Sequence, residues 1–337
     1  MGLALCITLL PDASAIAQDG RRETCGASGG PLIVSNDSPL RQPFLRVPPI
    51  GGCPGARASL DFRAGASNHF LDAREGDRWS FMDAETYRAD VAATVALGGG
   101  RQLMLEIPFH VRSPGVLDGV IDTWHRAFGL PRGTRPDHPE NRAVYRVGRD
   151  SVDPASRHVL SEEGSASGLG DVSFILVQSL PRLSHAPVTT VSAAVKLPTG
   201  DEGDLFGSGA ADAALGLGMS ARVAGSLWVH GSVRLVLLGR SPLRRGVLDQ
   251  AAGASQALLG LEWRVGKATA LLAQSSAEST PLDVGISTLD RDAFLLALGA
   301  RHALRPDLEL EAVFGEDLRV YTAPDLSLAL GLRWLPR

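Results

Sequence analysis

The chain has 337 residues, 44% hydrophobic and 21% charged, and its 33 basic and 37 acidic side chains leave a formal charge of −4. So even a balance excludes the basic footprint of a nucleic-acid binder. Beyond residue 17 the longest stretch without a charged side chain is 13 residues, whereas a spanning helix needs ~20 apolar residues, so helical membrane proteins are excluded too.

At the N-terminus, Gly2 to Leu10 form a short apolar run, broken at Pro11 and followed by Ala15-Ile16-Ala17. An apolar core, a helix breaker and a small-residue cleavage box read as a signal peptide over 1–17, with Gln18 opening the mature chain. No Lys or Arg precedes the core, and the competing reading is a buried first helix. Cys6 leaves with the peptide. Cys25 and Cys53 remain as an even pair in an oxidising compartment, where a disulfide between them is expected; the alternative is two unpaired thiols. Residues 18–55 precede the first patterned strand and are assigned to a periplasmic segment or a plug.

From residue 56 the sequence alternates with a period of two, the mark of strands with two different faces. In Gln102 to Arg112, Leu103, Leu105, Ile107, Phe109 and Val111 fall on one face, and Gln102, Met104, Glu106 and His110 on the other. Strands are predicted over 56–67, 86–97, 101–112, 168–180, 188–198, 210–222, 226–238, 252–265, 267–278, 291–302, 307–316 and 325–334. The faces of 168–180 and 267–278 are ambiguous. Short connections at Gly98-Gly99-Gly100, Val223-Ala224-Gly225, Gly266 and Ala303 to Pro306 alternate with long ones at 68–85, 113–167, 199–209, 239–251, 279–290 and 317–324. Tilted strands of ~9–11 residues cross the hydrocarbon, and short periplasmic turns alternate with long outer loops in transmembrane barrels. The expected fold is therefore all-β, a closed antiparallel transmembrane barrel of about twelve strands over 56–337, with both termini periplasmic. A soluble periplasmic sandwich shares the alternation and is the alternative.

Helical spacing occurs once, in the long outer loop 113–167, where Val116, Leu117, Val120, Ile121, Trp124 and Phe128 recur at three and four before Gly129. An amphipathic helix is predicted over 116–129, lying over the barrel mouth or capping its own loop.

A lipid-facing Arg or Lys near the midplane costs ~2–4 kcal/mol, so the charged face should line the lumen. That places Asp61, Arg63, Arg88, Asp90, Glu106, Lys196, Asp212, Arg234, Glu262, Arg264, Arg301, Glu309, Glu311 and Arg333 inside, seven acidic and seven basic. Phe109, Phe294 and Phe314 fall outward near the loop ends and Trp263 and Trp334 near the turn ends, as interfacial girdles do.

Catalytic patterns are sparse. His230-Gly231-Ser232 puts an imidazole and a hydroxyl on one strand face, which resembles outer-membrane lipid deacylases, but there the pair faces lipid, and Val233 and Arg234 stand where Asn and Gly follow the Ser. No HExxH or CxxC occurs, so no metal site is expected. Asp201, Glu202 and Asp204 read as a solvated acidic loop before a Ca²⁺ site. The Gly-rich stretches Gly164 to Gly170 and Gly207 to Gly218 lack the Lys-Ser/Thr of a phosphate loop. No cofactor is expected.

Three motifs remain: Asn36-Asp37-Ser38-Pro39-Leu40; Gly115-Val116-Leu117-Asp118-Gly119 leading through Trp124-His125 and Phe128-Gly129-Leu130-Pro131 to Asn141-Arg142; and Gly168-Leu169-Gly170-Asp171 paired with Lys196-Leu197-Pro198-Thr199-Gly200. Together, from about 31 to 337, the chain resembles an uncharacterised family of Gram-negative outer-membrane barrels, domain of unknown function 3187. The G-L-G-D and L-P-T-G pair is shared with barrels associated with aromatic-compound degradation. The resemblance implies an outer-membrane barrel without an established reaction. It departs from the usual barrel C-terminus, because Pro336-Arg337 follow the aromatic Trp334.

The function expected is a narrow channel or binding site for an unknown small solute, with balanced lumen charge arguing against strong ion selectivity and no enzyme activity. The alternatives are a closed structural or interaction barrel and, third, a lipid hydrolase using His230 and Ser232. The expected partners are outer-membrane lipid and lipopolysaccharide, the assembly machinery during biogenesis, and no nucleic acid.

Overall fold

A computed structural model describes residues 29–48, 58–129, 134–150, 159–181, 187–244, 248–319 and 321–336. The predicted signal peptide, Cys25 and Cys53 lie outside the described residues.

Twelve strands build the wall: β1 (Ala58–Glu75), β2 (Arg78–Gly98), β3 (Arg101–Ser113), β4 (Ser173–Ser179), β5 (Val188–Lys196), β6 (Asp212–Ala224), β7 (Leu227–Leu237), β8 (Gly253–Val265), β9 (Thr269–Glu278), β10 (Ala293–Arg305), β11 (Leu308–Asp317) and β12 (Leu326–Trp334). Each pairs antiparallel with the next, and β12 returns to β1 from Leu60↔Trp334 to Asn68↔Leu326, closing the ring. Closure leaves no strand edge unpaired around the wall, the condition for crossing hydrocarbon with strands. No described helix is long and apolar enough to cross a membrane.

The alternation seen in sequence becomes two surfaces. Leu215, Leu235, Leu259 and Leu330 point outward and are 60–70% exposed. An exposed apolar belt of this extent is stable against lipid and not against water. Phe109, Phe294, Trp263 and Trp334 are exposed on the same surface. At one end the connections are tight; Gly98, Gly99 and Gly100 all take positive φ (82°, 59° and 78°) to reverse the chain between β2 and β3, a conformation glycine adopts without steric cost.

The opposite, loop end differs from expectation in several places. Residues 68–85, expected as a long loop, continue β1 and β2 as a hairpin that reverses at Gly76-Asp77, with Glu75 opposite Arg78. Past the hydrocarbon a strand no longer needs an apolar face, so its charges hid it from a reading based on lipid cost. The extension gains a partner from the connection between β3 and β4: Val144–Arg149 pairs with Arg78–Asp83 and in turn with Val159–Glu163. Ala166–Leu169 pairs with the upper part of β3, so the predicted span 168–180 is observed in two pieces, broken at Gly170-Asp171-Val172. The same connection contains α1 (Asp118–Phe128), which ends at Gly129 in the left-handed conformation (φ 67°).

Above the wall these connections enclose an apolar core formed by Leu71, Met82, Tyr145, Leu205, Leu282 and Ile286 with their neighbours. Two residues of the N-terminal segment, Leu40 and Phe44, pack into it.

Candidate functional site in the barrel lumen

Residues 29–48 run inside the barrel as an open loop. The segment starts at the turn end, where Glu262 accepts a hydrogen bond from Gly30 N at 3.2 Å and Arg301 donates to the carbonyls of Gly30 and Pro31 at 2.6 Å each. Mid-lumen, the Gln274 amide brackets Leu32, accepting from its N at 2.8 Å and donating to its O at 3.1 Å. At the loop end, Asn36 donates to Thr322 O and Gln42 to Leu205 O. Returning, Pro43 O accepts from Lys196, Leu45 N donates to Asp212, and Pro48 O accepts from Arg234 at 3.2 Å.

Apolar side chains of the segment meet matching patches on the wall. Leu32 sits among Ala270, Leu272, Ala297 and Val313; Leu45 and Val47 sit among Ile175, Val177, Ala194, Ala214 and Val236. These contacts settle the two strands with ambiguous faces. In β4, Ser173, Ile175 and Val177 turn inward, and in β9, Ala270, Leu272 and Gln274 do. Both of their faces are apolar because one meets lipid and the other meets the segment.

All fourteen charged residues singled out from the sequence lie buried or half-buried in the interior. Near β1 and β2, Arg88 reaches Asp90 at 2.6 Å, Glu106 at 3.1 Å and Asp37 of the segment at 3.5 Å, while Arg63 approaches Asp90 at 3.9 Å. Arg333 joins Asp61 at 2.5 Å and Glu309 at 4.0 Å. Arg301 joins Glu311 at 2.6 Å and Glu262 at 4.0 Å, and Arg264 holds Glu262 at 2.5 Å. Lys196 and Asp212 pair at 3.2 Å. Arg234 has no carboxylate within 4.0 Å among the described residues; Pro48 O is its acceptor.

Sequence reasoning placed Lys196 and Asp212 inside but missed Asp171 and Ser208, which complete their contact with the segment. Lys196 Nζ lies within 3.2 Å of oxygens from Asp171, Ser208, Pro43, Ala210 and Asp212. Asp171 also accepts from Gly200 N at 2.8 Å and Ser208 N at 3.0 Å. The G-L-G-D and K-L-P-T-G motifs are therefore two halves of one buried cluster that grips the segment at Pro43. Gly200 permits their approach, since a Cβ there would lie 2.8 Å from Phe206 O and 2.9 Å from Gly170 C. The motifs carried the signal, and their pairing became visible only when folded.

The motif around Asp118 does similar work at the rim. Glu85 accepts from Val116 N and Leu117 N, ahead of α1. Asp118 accepts from Asn68, Arg135 and Asn141 N, and Arg135 continues to Asp325 at 2.6 Å. Burial lifts the Asp325 carboxyl above the ordinary carboxylate range, further than the adjacent Arg135 draws it down.

His230 and Ser232 face the interior and not lipid. His230 contacts Ser220 Oγ through Nδ1 at 2.8 Å and Glu262 through Nε2 at 3.1 Å, while Ser232 Oγ has no hydrogen-bond partner among the described residues. The hydroxyl, imidazole and carboxylate of Ser220, His230 and Glu262 line up, but each residue is about 1% exposed, leaving no approach for a substrate. In the acidic loop, Asp201 accepts from its own backbone at Gly203 N and Asp204 pairs with Arg112. No group of three or more metal-ligating side chains forms among the described residues.

Two cavities flank the segment. One, of about 30 Å³, lies between Ile33 to Asp37 and the wall at Arg63, Arg88 and the small residues Gly65, Gly315 and Ala329. The other, also of about 30 Å³, is bounded by Arg46, Val47, Arg234, Gln256, Gln274 and Glu278.

Among solved structures, the COG4313 outer membrane channel from Pseudomonas putida F1 superposes with a TM-score of 0.54 at 13% identity, covering 84% of this chain and 96% of that one. The NanC porin gives 0.47 at 9% identity over 82% and 98%, and the KdgM porin 0.44 at 8% over 83% and 99%. The first likeness shows a shared fold, that of a bacterial outer-membrane barrel; the porin scores are too low to add to it. No curated protein matches the sequence. Residues 22–335 match the family described as protein of unknown function (DUF3187), and the chain belongs to that family.

Proposed function

We propose that this protein is an outer-membrane channel for a small solute, closed by its own residues 29–48, with both chain termini in the periplasm. The observation that carries the reading is the chemistry of the seat. The segment has no helix or strand of its own and holds the wall largely through backbone groups bonded to lumen side chains. Each such bond contributes a net ~0.5–1.5 kcal/mol, rising to ~3 kcal/mol with a charged partner, so the segment is separable from a wall closed by a continuous backbone ladder. In this reading lipid and lipopolysaccharide cover the outer face, the assembly machinery inserts the barrel, and no catalytic step is involved.

The test is planar-bilayer conductance of the full chain beside a chain lacking 29–48, each first shown to give a heat-modifiable gel band. The full chain should give rare or small openings, and the deletion a larger, steady conductance. Two folded, inserted proteins that both stay silent would sink the channel reading. That silence is what a closed structural barrel produces, a second reading favoured by the apolar core over the loop end.

A further inference from the structure

Arg234 is the one basic residue of the fourteen left without a carboxylate partner among the described residues. It is 7% exposed, and of its five N–H donors one is met, by Pro48 O. Burying a guanidinium without a counter-charge is expensive. Glu278 borders the same cavity and attracts Arg234 from beyond 4.0 Å without forming an ion pair with it, while Arg46, also there, is paired with Asp37 at 3.4 Å. The seat for this arginine is built in: a Cβ at Gly216, across the sheet on β6, would stand 2.6 Å from Ser192 Oγ and 3.1 Å from Arg234 Cγ. Two residues along β7 from Arg234, Val236 begins the apolar wall patch of Ile175, Val177, Ala194 and Ala214.

The stretch from Leu45 to Pro48 covers both features at once. Its apolar side chains, Leu45 and Val47, lie on the patch, and the Pro48 carbonyl oxygen takes the guanidinium. In chemical outline that is an apolar body beside an oxygen acceptor, with a neutral carbonyl where the site offers a positive charge. We propose that Arg234 and the adjoining apolar wall form a binding site for a small organic carboxylate with an apolar body, and that Leu45 to Pro48 is its tethered stand-in. A carboxylate accepts two parallel N–H bonds from a guanidinium and brings a negative charge into direct contact with it. The apolar body replaces Leu45 and Val47 on the wall, where burial of apolar area is favourable. Because ligand and segment compete for one surface, the ligand's apparent affinity is reduced by the fraction of time the segment is seated. The inference rests on the reading that the segment moves, and it names the solute class for it.

The test is calorimetric titration of the detergent-solubilised full chain with benzoate and hexanoate, with benzyl alcohol and benzylamine as matched neutral and cationic probes. Both carboxylates should bind saturably and the two controls should not. Arg234→Gln should weaken carboxylate binding at least tenfold, and Arg234→Lys, which keeps the charge without the fork, should fall between. A Leu45→Ala, Val47→Ala double variant leaves Arg234 untouched and should bind more tightly than the full chain, because its stand-in holds the wall less well. The proposal is overturned if neither the full chain nor the double variant binds a carboxylate, or if a folded Arg234→Gln protein binds as the wild type does. Carboxylate binding by a protein that never conducts would leave the site standing and remove the channel. Conductance without carboxylate binding would do the reverse.

Discussion

Lys196 shows how much one side chain can hold. Its ammonium bridges two carboxylates, Asp171 and Asp212, a serine hydroxyl, and the Pro43 carbonyl of the lumen segment. Removing one member of a buried ion pair strands the others and costs ~3–5 kcal/mol. Lys196→Met should therefore lower stability by about that amount, read as an earlier midpoint in urea titrations of heat-modifiable mobility; an unchanged midpoint would show the cluster to be incidental. The interior position of Lys196 was legible from the lipid cost of charge combined with strand period, as it was for Arg88 or Glu262. Among its partners Asp212 was placed inside by the same rule, but Asp171 and Pro43 were not. Asp171 falls between two short strands and Pro43 sits in a stretch with no period, so their places are set by contacts far away in sequence. The interior position of His230 followed from its sharing a strand face with Arg234, but its partners did not: Ser220 comes from one neighbouring strand, β6, and Glu262 from the other, β8.

The twelve wall strands were readable because each has one face solvated by lipid and one by the lumen, and that contrast writes a period of two into the sequence. Where the contrast vanishes, so does the signal. In β4 and β9 the inner face is apolar because Leu45, Val47 and Leu32 lie against it, and in the β1–β2 extension the outer face no longer meets hydrocarbon. The lumen segment, lacking a repeating structure, is placed by its anchors alone, and this makes it sensitive to single changes. Leu32 is fully buried among Ala270, Leu272, Ala297 and Val313, where an unpaired carboxylate is strongly disfavoured. Leu32→Asp should unseat the segment while leaving the wall intact. Limited trypsin digestion reads this directly: Arg41 is buried in the wild type and should resist cleavage, but should be cut in the variant, with the heat-modifiable band retained. Equal protection in both proteins would mean the segment is held mainly by its loop-end contacts at Leu40 and Phe44.

Taken whole, the molecule has an apolar coat, a charged and self-paired lining, and a core under its loops. A chain 44% hydrophobic thus needs no apolar run of membrane length, because its apolar residues are dealt to alternate positions around a cylinder. Val233, exposed on the outer face near the middle of β7, tests that placement: Val233→Arg should cost ~2–4 kcal/mol, measured as a shift in the folding equilibrium in lipid vesicles. A neutral result would mean that this face does not meet hydrocarbon. The path of residues 29–48 has one more consequence. The loop is anchored at Gly30 near the turn end, rises to Leu40 under the loops and descends through Pro48, and β1 then starts at the turn end. Within the described residues the loop rises and turns back without crossing from one end of the barrel to the other. These residues form a bight, like a fold of rope laid in a pipe, whose withdrawal would unzip no wall strand.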